Sequence, residues 1–95
     1  MEHPGVIEAG VIGVPDTETG YRIKAYVVLK PSIKPVTSIA REIRDLIRER
    51  IALYKVPKII EFVSDLPKTS TGKIRRNVLR EEAKKDGPEG RTFHF

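Results

Sequence analysis

VIEAGVIGVPDTETGYRIKAYVVLK, Val6 to Lys30, decides how this chain folds. Its first ten residues, Val6 to Pro15, are an almost unbroken run of β-branched and small apolar side chains. That is the pattern of a strand covered on both faces, and it predicts a central place in a sheet. PDTETG, Pro15 to Gly20, is dense in turn formers. After it, Tyr21, Ile23, Ala25, Val27 and Leu29 alternate with Arg22, Lys24, Tyr26, Val28 and Lys30. The pair reads as a hairpin with one polar-leaning face.

Downstream, PSIKP (Pro31 to Pro35) breaks the second strand, and Thr37 or Ser38 can cap a helix. Ile39, Ala40, Ile43, Leu46, Ile47 and Ile51 recur there at 3.6-residue spacing, opposite a face of Arg41, Arg44, Asp45, Arg48 and Glu49. YKVP (Tyr54 to Pro57) turns the chain into a third short strand, Ile59 to Val63. IRRNVLREEAKK, Ile74 to Lys85, sets Ile74, Val78 and Leu79 on one side of a closing helix, and DGPEG (Asp86 to Gly90) ends it. The expected fold is α+β: a small, mostly antiparallel three-stranded sheet packed with helices, in the order strand-strand-helix-strand-helix. The hairpin strands run antiparallel and the helical crossover returns the third strand in the direction of the second, which a sheet with the first strand in the middle satisfies. Residues 86–95 are expected to be a flexible tail.

Composition narrows the function. At 95 residues the chain is one domain's worth, too small to enclose a deep substrate cavity alongside a core. With 39% hydrophobic and 33% charged residues it has the makeup of a folded globular domain. No stretch reaches the ~20 apolar residues of a membrane span, and the start lacks the layout of a secretory signal, so a cytoplasmic home is expected. There is no cysteine, and His3 and His94 sit at opposite ends, which reads as two solvated terminal residues and no metal site. The formal net charge of +5 favours anionic partners without choosing among them.

Between the third strand and the closing helix stands LPKTSTGKIRR, Leu66 to Arg76. Pro67 stops the strand, Thr69, Ser70 and Thr71 can bond local backbone, and Gly72 permits a backbone angle that other residues resist. A turn held from within gives Lys73 a fixed base, which is how a protein presents a cation to a phosphate or carboxylate on a neighbouring surface. Lys68, Arg75, Arg76, Arg80, Lys84 and Lys85 lie close by and draw anions toward it. A nucleotide-binding P-loop is excluded, because Pro67 stands where its first Gly belongs and Ile74 where its Ser or Thr belongs.

LPKTSTGKIRR, taken with HPGVIEAGVIGVPD near the start, YKVP before the third strand and NVLR after the lysine, resembles the C-terminal domain of the adenylate-forming acyl-CoA synthetases. Within that group the chain looks most like medium-chain acyl-CoA or benzoate-CoA ligases. The motifs run from His3 to about Lys85 in the family's order. The resemblance implies a two-step ligase of fatty acid type metabolism: a small carboxylic acid and Mg·ATP give an acyl-adenylate and pyrophosphate, and coenzyme A then takes the acyl group and releases AMP. It implies that residues 1–85 are the lid of such an enzyme and that Lys73 is its adenylation lysine. Thr69, Ser70, Thr71 and Gly72 would be positioning residues, and Arg48 and Lys55 would contact coenzyme A.

The implied partner is a large N-terminal adenylation domain. ATP, coenzyme A and Mg belong to the full-length enzyme, with none expected on this fragment alone. The family's hinge motif and acid pocket are missing, so the chain is expected to be an excised or separately encoded piece that ligates nothing by itself. It also departs from the family at Gly20 and Tyr21, where relatives carry Gly-Glu. Two other classes compete. A small basic nucleic-acid-binding module accounts for the charge but lacks aromatic residues within the Arg75 to Lys85 cluster, so no nucleic acid partner is expected. A protein-interaction module would leave Lys73 without chemical duty.

Overall fold

The computed structural model describes residues 3–16, 20–50, 56–84 and 90–95. In chain order the elements are β1 (Val6–Asp16), β2 (Gly20–Leu29), α1 (Thr37–Arg50), β3 (Ile59–Phe62), α2 (Arg76–Glu82) and β4 (Thr92–His94). They build one four-stranded sheet in the order β1-β2-β3-β4. β1 and β2 are antiparallel, β2 and β3 parallel across the α1 crossover, and β3 and β4 antiparallel. The α+β class and the mostly antiparallel sheet are as expected.

The place of the first strand is not. β1 lies at an edge, and β2 and β3 are the interior strands. Strand direction alone permits either arrangement, and the apolar run in β1 reflects cover on its two faces instead of neighbours on its two sides. Val6, Ala9 and Val11 pack with Ala40, Ile43 and Ile47 of α1 on one face. On the other, Ile12 and Val14 join Tyr26, Val28, Ile59, Leu66 and Leu79. The sheet therefore carries a core on each side.

That second core also changes the reading of the hairpin's polar-leaning face. Lys24 is only 3% exposed, and Tyr26 and Val28 are buried beside it. The Lys24 ammonium meets Glu61 Oε1 at 2.9 Å and stands 4.5 Å from the centre of the Tyr26 ring. A buried charge requires such partners, and β3 brings Glu61 into register two residues along from Lys24. Burial pulls the lysine pKa down, but the bonds and charges of Glu61 and Tyr26 outweigh it and leave the pKa raised. The Tyr26 hydroxyl donates to the Leu79 carbonyl at 3.4 Å, tying β2 to α2.

Three further expectations are corrected. The stretch read as a flexible tail contributes β4, whose Phe93 meets Phe62 edge to face at 5.7 Å. The Phe62 N–H bonds the Arg91 carbonyl at 2.8 Å and the Phe95 N–H bonds the Lys58 carbonyl at 2.7 Å. Burial of Phe93 and Phe95 against the α1 core supplies the driving force. His3 is not a solvated terminal residue: its Nδ1 accepts the Gly5 N–H at 3.0 Å and its Nε2 lies 3.7 Å from Glu42. α2 is shorter than the expected Ile74 to Lys85, because Ile74 is taken up in a bridge to Lys68 before the helix begins.

Candidate functional site: a lysine hairpin

After β3 the Asp65 carboxylate accepts the Leu66 N–H at 2.9 Å, and Leu66 is sunk in the core. From this fixed point the chain folds back on itself. The Pro67 carbonyl accepts the Arg75 N–H at 2.8 Å, Lys68 and Ile74 are bridged antiparallel, and the Thr69 N–H donates to the Lys73 carbonyl at 2.8 Å. The Gly72 N–H closes the tip on the Thr69 carbonyl at 3.0 Å, and Gly72 has φ of +86°. A three-residue hairpin loop ending in a left-handed residue has this pattern, and glycine adopts that φ without steric cost.

Thr69 is the centre of the tip. Its Oγ1 accepts the Lys73 N–H at 3.1 Å and shares a hydrogen bond with Thr71 Oγ1 at 3.0 Å. Of the residues singled out in the sequence, Thr69, Thr71 and Gly72 are thus brought onto the Lys73 backbone, while Ser70 occupies the exposed apex. The Lys73 side chain is exposed, and among the described residues no carboxylate lies within ion-pair distance of its ammonium.

The surrounding basic residues divide into two groups. Lys68 is engaged, at 2.8 Å from Glu8 Oε1 and 3.7 Å from Asp65 Oδ1, and the Glu8 hydrogen bond holds its pKa above the usual lysine value. Arg76 Nε donates to the Val11 carbonyl at 3.3 Å, and Lys84 pairs with Glu81 at 3.2 Å. Arg75 and Arg80 are exposed without an acidic partner among the described residues and remain, with Lys73, as open cations. Lys85 lies outside the described residues.

Arg48 stands elsewhere. It lines a groove of about 410 Å³ with Arg44, Val56, Pro57, Lys58 and Phe95. The Arg44 guanidinium lies 4.6 Å from the centre of the Phe95 ring and bonds Asp45 at 3.1 Å. This groove borders the β4 edge, whereas the lysine hairpin leans on β1 at the other edge. Lys55, the second residue expected to contact coenzyme A, lies outside the described residues. Among those residues no group of three or more His, Asp or Glu side chains gathers as a metal site.

Sequence reasoning missed Glu8, which is the only charged residue between Val6 and Pro15. A lone acid in an apolar strand was the available signal. It missed Phe95 and Lys58 as well, since both depend on β4.

Comparison with known proteins gives these relations. The sequence profile described as the AMP-binding enzyme C-terminal domain matches residues 1–73. 4-Hydroxybutyrate–CoA ligase 1 of Metallosphaera sedula is 51% identical over 95 residues, covering 97% of this chain and 17% of that protein. An acyl-CoA synthetase crystal structure from Brucella canis matches with a TM-score of 0.79 at 37% identity, over 87% of this chain and 16% of its own. The anthranilate CoA ligase AuaEII, crystallised with anthranoyl-AMP, gives 0.76 at 48% identity over 85% of this chain and 16% of its own. The chain thus spans about a sixth of the length of the proteins it matches.

Proposed function

The chain belongs to the AMP-binding enzyme C-terminal domain family, and from that premise we propose that it is the mobile C-terminal lid of an AMP-forming acid–thiol ligase. Such an enzyme joins a small carboxylic acid to coenzyme A at the expense of ATP. The acid's carboxylate attacks the α-phosphorus of ATP, releasing pyrophosphate, and the thiol of coenzyme A then displaces AMP from the acyl-adenylate. The partner of this chain is the larger N-terminal adenylation domain, which holds the acid, and the chain ligates nothing without it. Magnesium enters only as the companion of ATP, and no residue of this chain is assigned to hold it. The cytoplasm is the proposed location.

One observation carries the proposal: an exposed ammonium without an acidic partner among the described residues, on a hairpin fixed by its own backbone bonds. Adenylation presses a carboxylate against a polyphosphate, setting like charges together. A lysine touching both offsets that repulsion and stabilises the charge that builds on the phosphoryl oxygens. Thr69, Thr71 and Gly72 hold the backbone from which Lys73 reaches, and Ser70 shapes the apex. Arg48, with Arg44 and Lys58 around the same groove, suits the phosphates of coenzyme A. Lys55 joins them on resemblance alone.

The test joins the chain to its adenylation domain and changes Lys73 to Ala. Removing one preorganised donor costs roughly 3 to 4 kcal/mol, so ATP-dependent formation of the acyl-adenylate should fall about 10²- to 10³-fold. Thioester formation from supplied acyl-adenylate should survive. Equal loss in both steps, or no loss in the first, refutes the assignment.

A further inference from the structure

We infer that Glu8 is a positioning residue for Lys73, acting through Lys68 to set the direction in which the lysine hairpin points; this rests on the adenylation role proposed above. The bonds inside the hairpin fix its shape but leave its orientation to contacts with the rest of the molecule, and a two-stranded hairpin standing alone is marginal in water. Two of those contacts come from one strand, β1. Glu8 and Gly10 are two residues apart and so share a face. Glu8 takes the Lys68 ammonium at 2.8 Å. Gly10 leaves room for Ile74 and Leu79, whose methyl carbons would stand 3.4 and 3.0 Å from a Cβ built there.

Lys68 and Ile74 are directly opposite one another across the hairpin, so their side chains lie on the same side of it. That side is turned to β1. The next pair, Thr69 and Lys73, projects to the other side by the alternation of extended backbone. Seating Lys68 on Glu8 and Ile74 over Gly10 therefore aims Lys73 outward. Asp65, 3.7 Å from the same ammonium, ties it to the end of β3 as well.

The Lys68 and Glu8 side chains are 36% and 25% exposed. Ion pairs this open to water add little to folding. Displacement of a catalytic group by about 1 Å, however, costs on the order of 100-fold in rate. Loss of Glu8 is accordingly expected to be felt in the chemistry before it is felt in the fold.

The experiment uses the chain joined to its adenylation domain, with each half-reaction assayed separately. Glu8→Gln should lower the turnover of acyl-adenylate formation at least about fivefold, with KM for ATP and acid held within about threefold and thioester formation from supplied acyl-adenylate unchanged. Lys68→Met should show the same profile, Lys68→Arg should retain activity, and Glu8→Gln with Lys68→Met should be no worse than either alone, because both changes remove one contact. A smaller loss in Glu8→Gln, a parallel fall in both half-reactions, or losses that multiply in the double variant would overturn the inference. Lys73→Ala run alongside separates the two ideas: normal adenylation in that variant defeats the proposed function itself, whatever Glu8→Gln does.

Discussion

Replacing Gly72 by Ala tests whether backbone conformation is what places the lysine. Gly72 has φ of +86°, and a Cβ built on it meets nothing within 4 Å, so the substitution meets no steric clash with the surroundings. Its cost is local. An L-residue in the left-handed region pays about 1 to 2 kcal/mol, of which the loss of glycine's freedom in the unfolded chain returns a part, leaving about 1 kcal/mol. The hairpin can relieve that strain by giving up the Gly72 bond to the Thr69 carbonyl and the Lys73 bond to Thr69 Oγ1, each worth about 0.5 to 1.5 kcal/mol net. Strain and restraint are comparable, so Gly72→Ala should divide its time between the closed tip and an opened one. Global stability should fall by no more than about 1 kcal/mol, a shift of roughly 4 to 8 °C in Tm. Adenylation in the joined enzyme, read by ATP–pyrophosphate exchange, should fall about 10- to 100-fold, because a lysine displaced by an ångström stabilises little. Asn, which tolerates positive φ better, should fall between Gly and Ala, and D-Ala introduced by chemical ligation should restore both quantities. An L-Ala variant that adenylates at the parent rate, or a D-Ala variant as damaged as the L-Ala one, would refute the reasoning.

Lys24→Met should destabilise the chain by about 3 kcal/mol, the low end for a broken buried pair, because the largely enclosed Glu61 loses its counter-ion; Lys24→Met combined with Glu61→Leu should recover most of that loss. Chemical denaturation of both variants decides it, and equal losses would show that the pair is not coupled. Alkaline pH should act on the same site. The Lys24 pKa is raised above 10.5 and burial raises that of Tyr26 above 10.0, so the folded chain holds these protons more tightly than the unfolded one. The contribution is present in full below about pH 10 and is lost as pH climbs through the raised values. Denaturation midpoints should fall as pH rises above about 10, and a flat profile there would count against the pair.

How far each part could be read from the sequence follows the range of the interactions that form it. The lysine hairpin was legible because Pro67, Thr69 and Gly72 act within a few residues of Lys73. The two-sided cover of β1 was legible too, but not its edge position, since apolar character reports burial of faces and says nothing about which strand supplies the next ladder. The polar-leaning face of the hairpin was legible, but not the burial of Lys24 on it, because its partner Glu61 arrives from a strand 37 residues away. β4 escaped notice because three residues, Thr92 to His94, are too few to show a period without Phe62 to pack on. Lys55 lies outside the described residues; among those described, Arg44, Lys58 and Phe95 line the groove with Arg48.

The arrangement of the two cationic surfaces bears directly on how such a lid would work. The hairpin carrying Lys73 leans on β1, and the groove with Arg44, Arg48 and Lys58 borders β4. These are the two edges of a four-stranded sheet, and at about 4.8 Å per strand step their backbones are roughly 14 Å apart. A core on each face, tied across by the buried Lys24–Glu61 pair and the Tyr26 bond to α2, keeps the edges from approaching one another. A body this rigid presents one edge or the other to a single reaction centre. If Lys73 serves adenylation and the opposite groove serves coenzyme A, the two steps require the whole domain to turn between them, with the hinge outside the sheet. On that proposal the fold would separate the two half-reactions in space, and a variant that disturbs one edge should leave the chemistry assigned to the other unchanged.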